Sequence, residues 1–188
     1  MSGKSVNGKR LGREEWIAAG LRAIARQGAD AVRVERLAEA LGVTKGSFYW
    51  HFKDRNALLA ALLDAWKVRT TNAIIAEVEA KGGDAATRLR TLFGIALQSD
   101  GRLDLAMRAW AAQDSLARDA LEQVDRRRLA YLDSLFRALG FPPAEASARA
   151  RFVYQALIGQ FTMGVPAAQR KRRADWLDIL YPMLVRHG

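Results

Sequence analysis

Hydrophobic positions along this chain recur with the period of an α-helix almost from end to end. Val34, Leu37, Ala38 and Leu41 fall at i, i+3, i+4 and i+7, the apolar stripe of one short helix. Gly42 follows the last of them, where a helix commonly ends because glycine tolerates positive φ. Val43 plugs the gap to a second helix, and Thr44 is its expected N-cap, with a hydroxyl able to take up a free backbone N–H. On that second helix Phe48 and Phe52 stand one turn apart and face inward. Gly46 and Trp50 then point away from the core, flanked by Ser47 and Tyr49. Asp54 is placed to cap a long helix that follows.

Later breaks are marked by glycine, proline and short polar residues. Lys81-Gly82-Gly83-Asp84 ends the long helix and caps the next, and Ser99-Asp100-Gly101 marks another break. Asp114-Ser115 starts a helix that runs to Leu139, with Gly140-Phe141-Pro142-Pro143 as its stop. Pro143 opens a helix through about Met163, and Gly164-Val165-Pro166 separates it from a last helix ending near Arg186. No segment alternates as a strand would, and none repeats. An all-α fold is predicted.

The last two of these helices carry apolar residues on more than one side. Phe152, Val153, Ala156, Leu157, Gly159 and Phe161 do so on one, and Trp176, Leu177, Ile179, Leu180, Met183 and Leu184 on the other. A helix apolar on two sides must be buried on two sides. One side can pack within the subunit and the other needs a partner, so a two-fold homodimer is expected. Its interface would hold Phe152, Ala156, Gly159, Trp176, Leu180, Met183 and Leu184 in a four-helix arrangement. A large monomeric core is the competing assignment.

Two short helices about a tight turn make a helix-turn-helix, the second helix of which enters a DNA major groove. The chemistry of its outer side agrees. Gly46 costs a helix about 1 kcal/mol relative to alanine, and it lets another surface approach the backbone. Trp50 is a large aromatic at the most exposed point, and Lys45, His51 and Lys53 surround it with donors suited to phosphate oxygens. Charge supports this reading. The formal net charge is +10, and residues 1–70 hold 13 Lys and Arg against 7 Asp and Glu, a net of +6 in little over a third of the chain. Lys4, Lys9 and Arg10 form a basic arm, either a plain tail or an extra contact to phosphate or minor groove.

From about Arg13 to Lys67 the chain resembles the TetR family of bacterial transcriptional regulators. The resemblance rests on the helix around Ile17, Leu21 and Ile24, the Gly28-Ala29-Asp30 turn, and Leu37-Ala38-Glu39-Ala40-Leu41-Gly42-Val43. It continues through Lys45-Gly46-Ser47-Phe48-Tyr49-Trp50-His51-Phe52-Lys53 to Asn56-Ala57-Leu58-Leu59. The Tyr-x-His-Phe element at Tyr49, His51 and Phe52 is its most specific part. By resemblance, Thr44, Tyr49, His51 and Lys53 touch phosphates, while Lys45, Gly46, Ser47 and Trp50 approach base edges. Val34 stands where the family often has a hydroxyl residue, and Arg33 beside it can supply that contact instead. Asn56 replaces the usual acidic residue and leaves Asp54 as the cap.

The resemblance implies an N-terminal three-helix DNA-binding domain, residues 1–54 with the basic arm at 1–10. A helical regulatory and dimerisation domain, residues 55–188, follows it. It further implies a repressor that a small molecule releases from a near-palindromic operator on double-stranded DNA, through a pocket in the middle of the chain. Trp66, Phe93, Met107, Trp110, Tyr131 and Phe152 are the candidate lining, with Gln113, Asp114 and Gln155 as polar contacts. Core packing is the competing job for each. A DNA-binding protein without a small-molecule sensor is the alternative.

An enzyme is not expected. The chain has no cysteine and two histidines, and it lacks a Gly-rich phosphate loop, a nucleophile elbow and a zinc-helix motif. No cofactor and no metal site is expected. Residues 1–10 are polar and basic, and no apolar run approaches the length of a membrane span, so a cytoplasmic protein with no membrane partner is expected.

Overall fold

Ten helices account for most of the residues described by the structure, a computed structural model that covers 11–163 and 173–186, the side chains of 173–177 excepted. The basic arm, the break at 164–166 and the side chain of Trp176 lie outside the described residues. The order is α1 (Arg13–Gln27), a 3-10 turn (Ala29–Ala31), α2 (Val34–Leu41), α3 (Lys45–Tyr49), α4 (Arg55–Lys67), a π-helical turn (Val68–Asn72) and α5 (Ala73–Lys81). Then come α6 (Ala85–Gln98), α7 (Arg102–Ala111), α8 (Ser115–Ala138), α9 (Pro143–Met163) and α10 (Arg173–Val185). No strand occurs among the described residues, and no helix there is long and apolar enough to cross a membrane.

The expected boundary signals act as local chemistry says they should. Gly42 has φ 69° and closes α2, a conformation that costs glycine least. The carboxylates of Asp54, Asp84 and Asp114 each accept a backbone N–H three residues on, from Ala57, Thr87 and Ala117 at 2.8, 2.8 and 2.9 Å. Thr44 differs. It holds the N-cap position of α3 with extended backbone, but its hydroxyl makes no capping bond.

Two apolar cores divide the molecule. The first joins α1 to α4 with α7 and the front of α8, around Trp16, Ile24, Phe48, Leu58, Leu62, Trp66 and Met107. A Cβ at Gly20 would meet Leu62 Cδ2 at 2.7 Å, so glycine there lets α1 and α4 pack closely. Apolar packing thus runs straight through the 54/55 position, because α4 is shared by the helix-turn-helix and the helices behind it. The second core gathers Leu89, Phe93, Leu132, Leu135, Phe136, Phe141, Ala146, Tyr154 and Tyr181 from α6, α8, α9 and α10.

Between the two cores the structure departs from expectation twice. The long helix expected to run unbroken to Lys81 is interrupted by the π-helical turn. The run Arg126-Arg127-Arg128 reads in the sequence as a solvated face, yet Arg128 is turned inward onto that turn, its side chain only 14% exposed. Its Nη2 donates to the Thr70 carbonyl at 3.2 Å and its Nε to Thr71 Oγ1 at 3.0 Å, while Nη1 meets Asp104 Oδ1 at 2.8 Å. Arg128 thus braces the backbone of the π turn from another helix. Arg126 does lie at the surface, paired to Glu122 at 3.3 Å.

Candidate nucleic-acid interface

Three aromatic rings hold α3 in place. Phe48 is fully buried and Phe52 nearly so, their ring centroids 5.4 Å apart and stacked. Trp16 of α1 meets Phe48 edge-on at 5.3 Å, and the Arg13 guanidinium lies 5.1 Å over the Phe52 ring. Trp16 directly precedes the Ile17 stripe, and helical period alone does not pair it with Phe48. A further brace comes from Arg55, whose Nε donates to the Val32 carbonyl at 2.6 Å and whose Nη2 donates to that of Ala29 at 3.1 Å. These bonds fasten the start of α4 to the 3-10 turn ahead of α2.

With Phe48 and Phe52 inside, the opposite side of α3 faces solvent. Trp50 is 88% exposed and Tyr49 more than half so. A Cβ at Gly46 would touch nothing closer than Thr44 Oγ1, at 3.7 Å. The fold itself therefore does not require glycine there, and the bare backbone stays open to an approaching surface. Arg33, Thr44, Lys45, Gly46 and Lys53 are exposed as well, and Ser47 partly so. Arg33 and Lys53 take part in no ion pair among the described residues.

Two residues in this set have intramolecular partners that the sequence did not indicate. His51 is half-buried, and its Nε2 lies 2.9 Å from the Leu11 carbonyl. A carbonyl only accepts, so Nε2 carries the proton and ties the entry of α1 to the end of α3. Lys45 Nζ lies 2.5 Å from Glu35 Oε1, across the turn of the motif. This bond and the attraction behind it raise the lysine pKa and lower that of the carboxyl. Both charges are held at neutral pH.

The nine residues expected around a small-molecule pocket are divided between the two cores and the surface. Trp66 and Met107 are buried in the first core, and Trp110 packs against it. Phe93 belongs to the second core; Tyr131 packs against that core and donates to Glu79 Oε1 at 2.6 Å. Phe152, Gln113 and Gln155 are exposed, and Asp114 caps α8. A shallow depression of about 220 Å³ on the outside of α8 and α9 is lined by Leu129, Ala130, Asp133, Ser147, Ala150 and Arg151, none of them expected.

The expected dimer residues fall differently. Phe152, Leu180 and Met183 are exposed, as are Ala156 and the neighbouring Met163 and Ile179, and a Cβ at Gly159 would meet nothing within 4 Å. Leu184 is partly buried against the second core. Phe161 and Tyr181, on the inner sides of the same two helices, are buried. The pair is apolar on both sides, with the outer side open.

Residues 17–62, which hold this whole motif, match the model of the bacterial regulatory proteins of the tetR family. The chain is 31% identical over 90 residues to the HTH-type transcriptional regulator AcrR of Shigella flexneri, a stretch covering 46% of this chain and 40% of that protein. It is 43% identical over 56 residues to the class C tetracycline repressor of Escherichia coli, covering 30% and 26%. The chain thus matches less than half the length of these relatives. Whole-fold similarity extends further. A TetR transcriptional regulator from Legionella pneumophila superimposes with a TM-score of 0.73 at 13% identity, over 93% of this chain and 95% of that one. A candidate regulator from Saccharomonospora viridis, solved in complex with choline, does so at 0.72 and 20%, over 88% and 95%.

Proposed function

We propose that this chain, whose residues 17–62 match the tetR family of bacterial regulatory proteins, is a cytoplasmic, DNA-binding transcriptional regulator of that family, working as a homodimer on a near-palindromic operator. The observation that carries this reading is the construction of α3. Phe48 and Phe52 are locked into the core, while Trp50, the open Gly46 backbone and the donors Arg33, Thr44, Ser47, Tyr49 and Lys53 face outward together. A recognition helix needs that combination, because phosphate contacts set its register and side chains at the base edges supply the specificity. The outer apolar side of α9 and α10 supports dimerisation, which sets two such helices a helical turn of duplex apart.

Selection of bound fragments from genomic DNA at moderate salt tests the reading. It expects a few fragments that share a two-fold symmetric site to be retained against scrambled competitor; no preference over competitor rejects it. Light scattering on the free protein expects a dimer, and Met183→Glu a monomer. A monomeric wild type at micromolar concentration rejects the dimer.

Repression relieved by a small molecule is the family's usual mode and forms the finer part of the proposal. A ligand that binds the DNA-incompetent spacing better by about 1–3 kcal/mol suffices. The alternative, a DNA-binding protein without a sensor, is favoured by one observation: Trp66 and Phe93 are buried in separate cores. A small-molecule panel screened for release of the bound operator separates the two.

A further inference from the structure

Beside the exposed cations Arg33 and Lys53, the carboxylate of Glu35 calls for a reason. Glu35 stands in the first turn of α2, its side chain 64% exposed, and it engages Lys45, the first residue of α3, whose side chain is 52% exposed. An ion pair so open to water adds little to stability, so the fold does not explain its presence. Nor does general affinity for DNA explain it. The first helix of such a motif crosses the phosphate backbone, where a carboxylate is repelled and a neutralised lysine is lost as a phosphate ligand.

The arrangement of donors and acceptors does offer a reason. An ammonium has three N–H donors, and Lys45 spends one on Glu35; a carboxylate has two oxygens, and Glu35 spends one on Lys45. The pair therefore presents the remaining ammonium donors and the second carboxylate oxygen side by side, at the leading end of the recognition helix. On the major-groove edge of a G·C pair, guanine offers N7 and O6 as adjacent acceptors and cytosine offers its N4 amino group as the neighbouring donor. Lysine suits the first and glutamate the second. An A·T pair fits worse, because the ammonium finds two adjacent acceptors on guanine but only N7 on adenine, beside an amino group that repels it.

We infer that Glu35 and Lys45 act as one unit that reads a single G·C pair in each half of the operator, Lys45 donating to guanine and Glu35 accepting from the cytosine amino group. This rests on the DNA-binding reading above. The unit assembles before DNA arrives, so the lysine is already aimed when it docks. Glu35 is a specificity residue, and its cost is weaker attraction to every duplex.

The test is selection from a random duplex library by the full chain, followed by titrations of the selected site with each base pair substituted in turn. Glu39, one turn along α2, is exposed and takes part in no ion pair among the described residues, so Glu39→Gln makes the same charge change away from the pair. Wild type is expected to select G·C at one position per half-site. Glu35→Gln should lose about tenfold of the preference for G·C over A·T at that position alone, with other positions unchanged. Glu39→Gln should tighten binding to all sequences and keep every preference. If Glu35→Gln also tightens binding uniformly and leaves that position unaltered, the inference is overturned and Glu35 is only a charge. If wild type selects no sequence at all, the DNA-binding reading itself falls, and this inference with it.

Discussion

Oppositely charged side chains meet in two parts of this molecule, to opposite ends. On the proposed reading surface, Lys45 and Glu35 pair in open water, and Arg33 and Lys53 take part in no ion pair among the described residues. Between the two cores, Arg128 meets Asp104, and Arg108 meets both oxygens of Asp125 at 3.0 and 2.7 Å. The Tyr154 hydroxyl joins the two pairs. It donates to Asp125 Oδ1 at 2.6 Å and accepts from Arg108 Nη2 at 2.9 Å and Arg128 Nη1 at 3.4 Å. Burial opposes the charge on both arginines, but their carboxylate and phenol neighbours outweigh it, and both pKa values are raised. Surface charges can change partners at little cost, as binding a polyanion requires. The inner ones cannot, and they fix α7, α8 and α9 in one register around the π-helical turn.

The comparison is broken most severely at Arg128. Arg128→Met strands Asp104, which is 8% exposed, and uncovers the Thr70 carbonyl. Removing one member of a buried pair costs about 3–5 kcal/mol. For a chain of this size that lowers Tm by about 10 °C, measurable by circular dichroism. Adding Asp104→Leu removes the stranded charge and should restore most of the loss. If Arg128→Met melts with wild type, the inner layer is no more structural than the surface one.

Tyr154→Phe is the milder cut, at about 2 kcal/mol for hydrogen bonds to charged partners, and it carries a pH signature. Burial first, with the bond to Asp125 adding to it, pushes the Tyr154 phenol up to about 12 from an ordinary 10.0. A raised folded pKa gives stability that is whole below the unfolded value and is lost as pH climbs through the folded one. Wild type should therefore shed this part between about pH 10 and 12, and Tyr154→Phe should not. Tyr131 and Tyr181 are also raised, by burial first, but they are present in both proteins. The difference between the two denaturation-versus-pH curves thus isolates Tyr154; parallel curves would deny it a place in the layer.

The same contrast separates what could be read in the sequence from what could not. Gly42, Asp54, Asp84, Asp114 and Pro143 mark helix ends through the backbone of their own neighbours, within three or four residues. Helical period alone sent Phe48 and Phe52 inward and Trp50 outward. The inner layer depends on residues far apart in the chain: the π turn at 68–72 is covered by an arginine 58 residues after Thr70. A wheel drawn for α8 says where Arg128 points and not that Asp104 waits there. The Glu35–Lys45 pair and the His51–Leu11 bond escaped notice for the same reason, being formed across a turn and across the domain. Large apolar side chains such as Trp66 and Phe93 do not mark a pocket, because a packed core uses them just as readily as a cavity.

At the surface, removing a charge should leave the fold untouched and change only binding. Lys53→Ala removes an exposed cation that takes part in no ion pair among the described residues, so its Tm is expected to match wild type. Its affinity should fall by a similar factor on operator and on random duplex, because phosphates are the same everywhere. The slope of log affinity against log salt should shrink by about 1 for each half-site. Trp50→Ala, on the same surface, separates base reading from charge. Discrimination between operator and random duplex should drop while the salt slope holds, since no charge is lost. Equal losses on both duplexes would take Trp50 out of base reading and leave it a contact to the sugar-phosphate backbone. An unchanged slope for Lys53→Ala would show that its ammonium releases no counterion on binding and lies off the DNA.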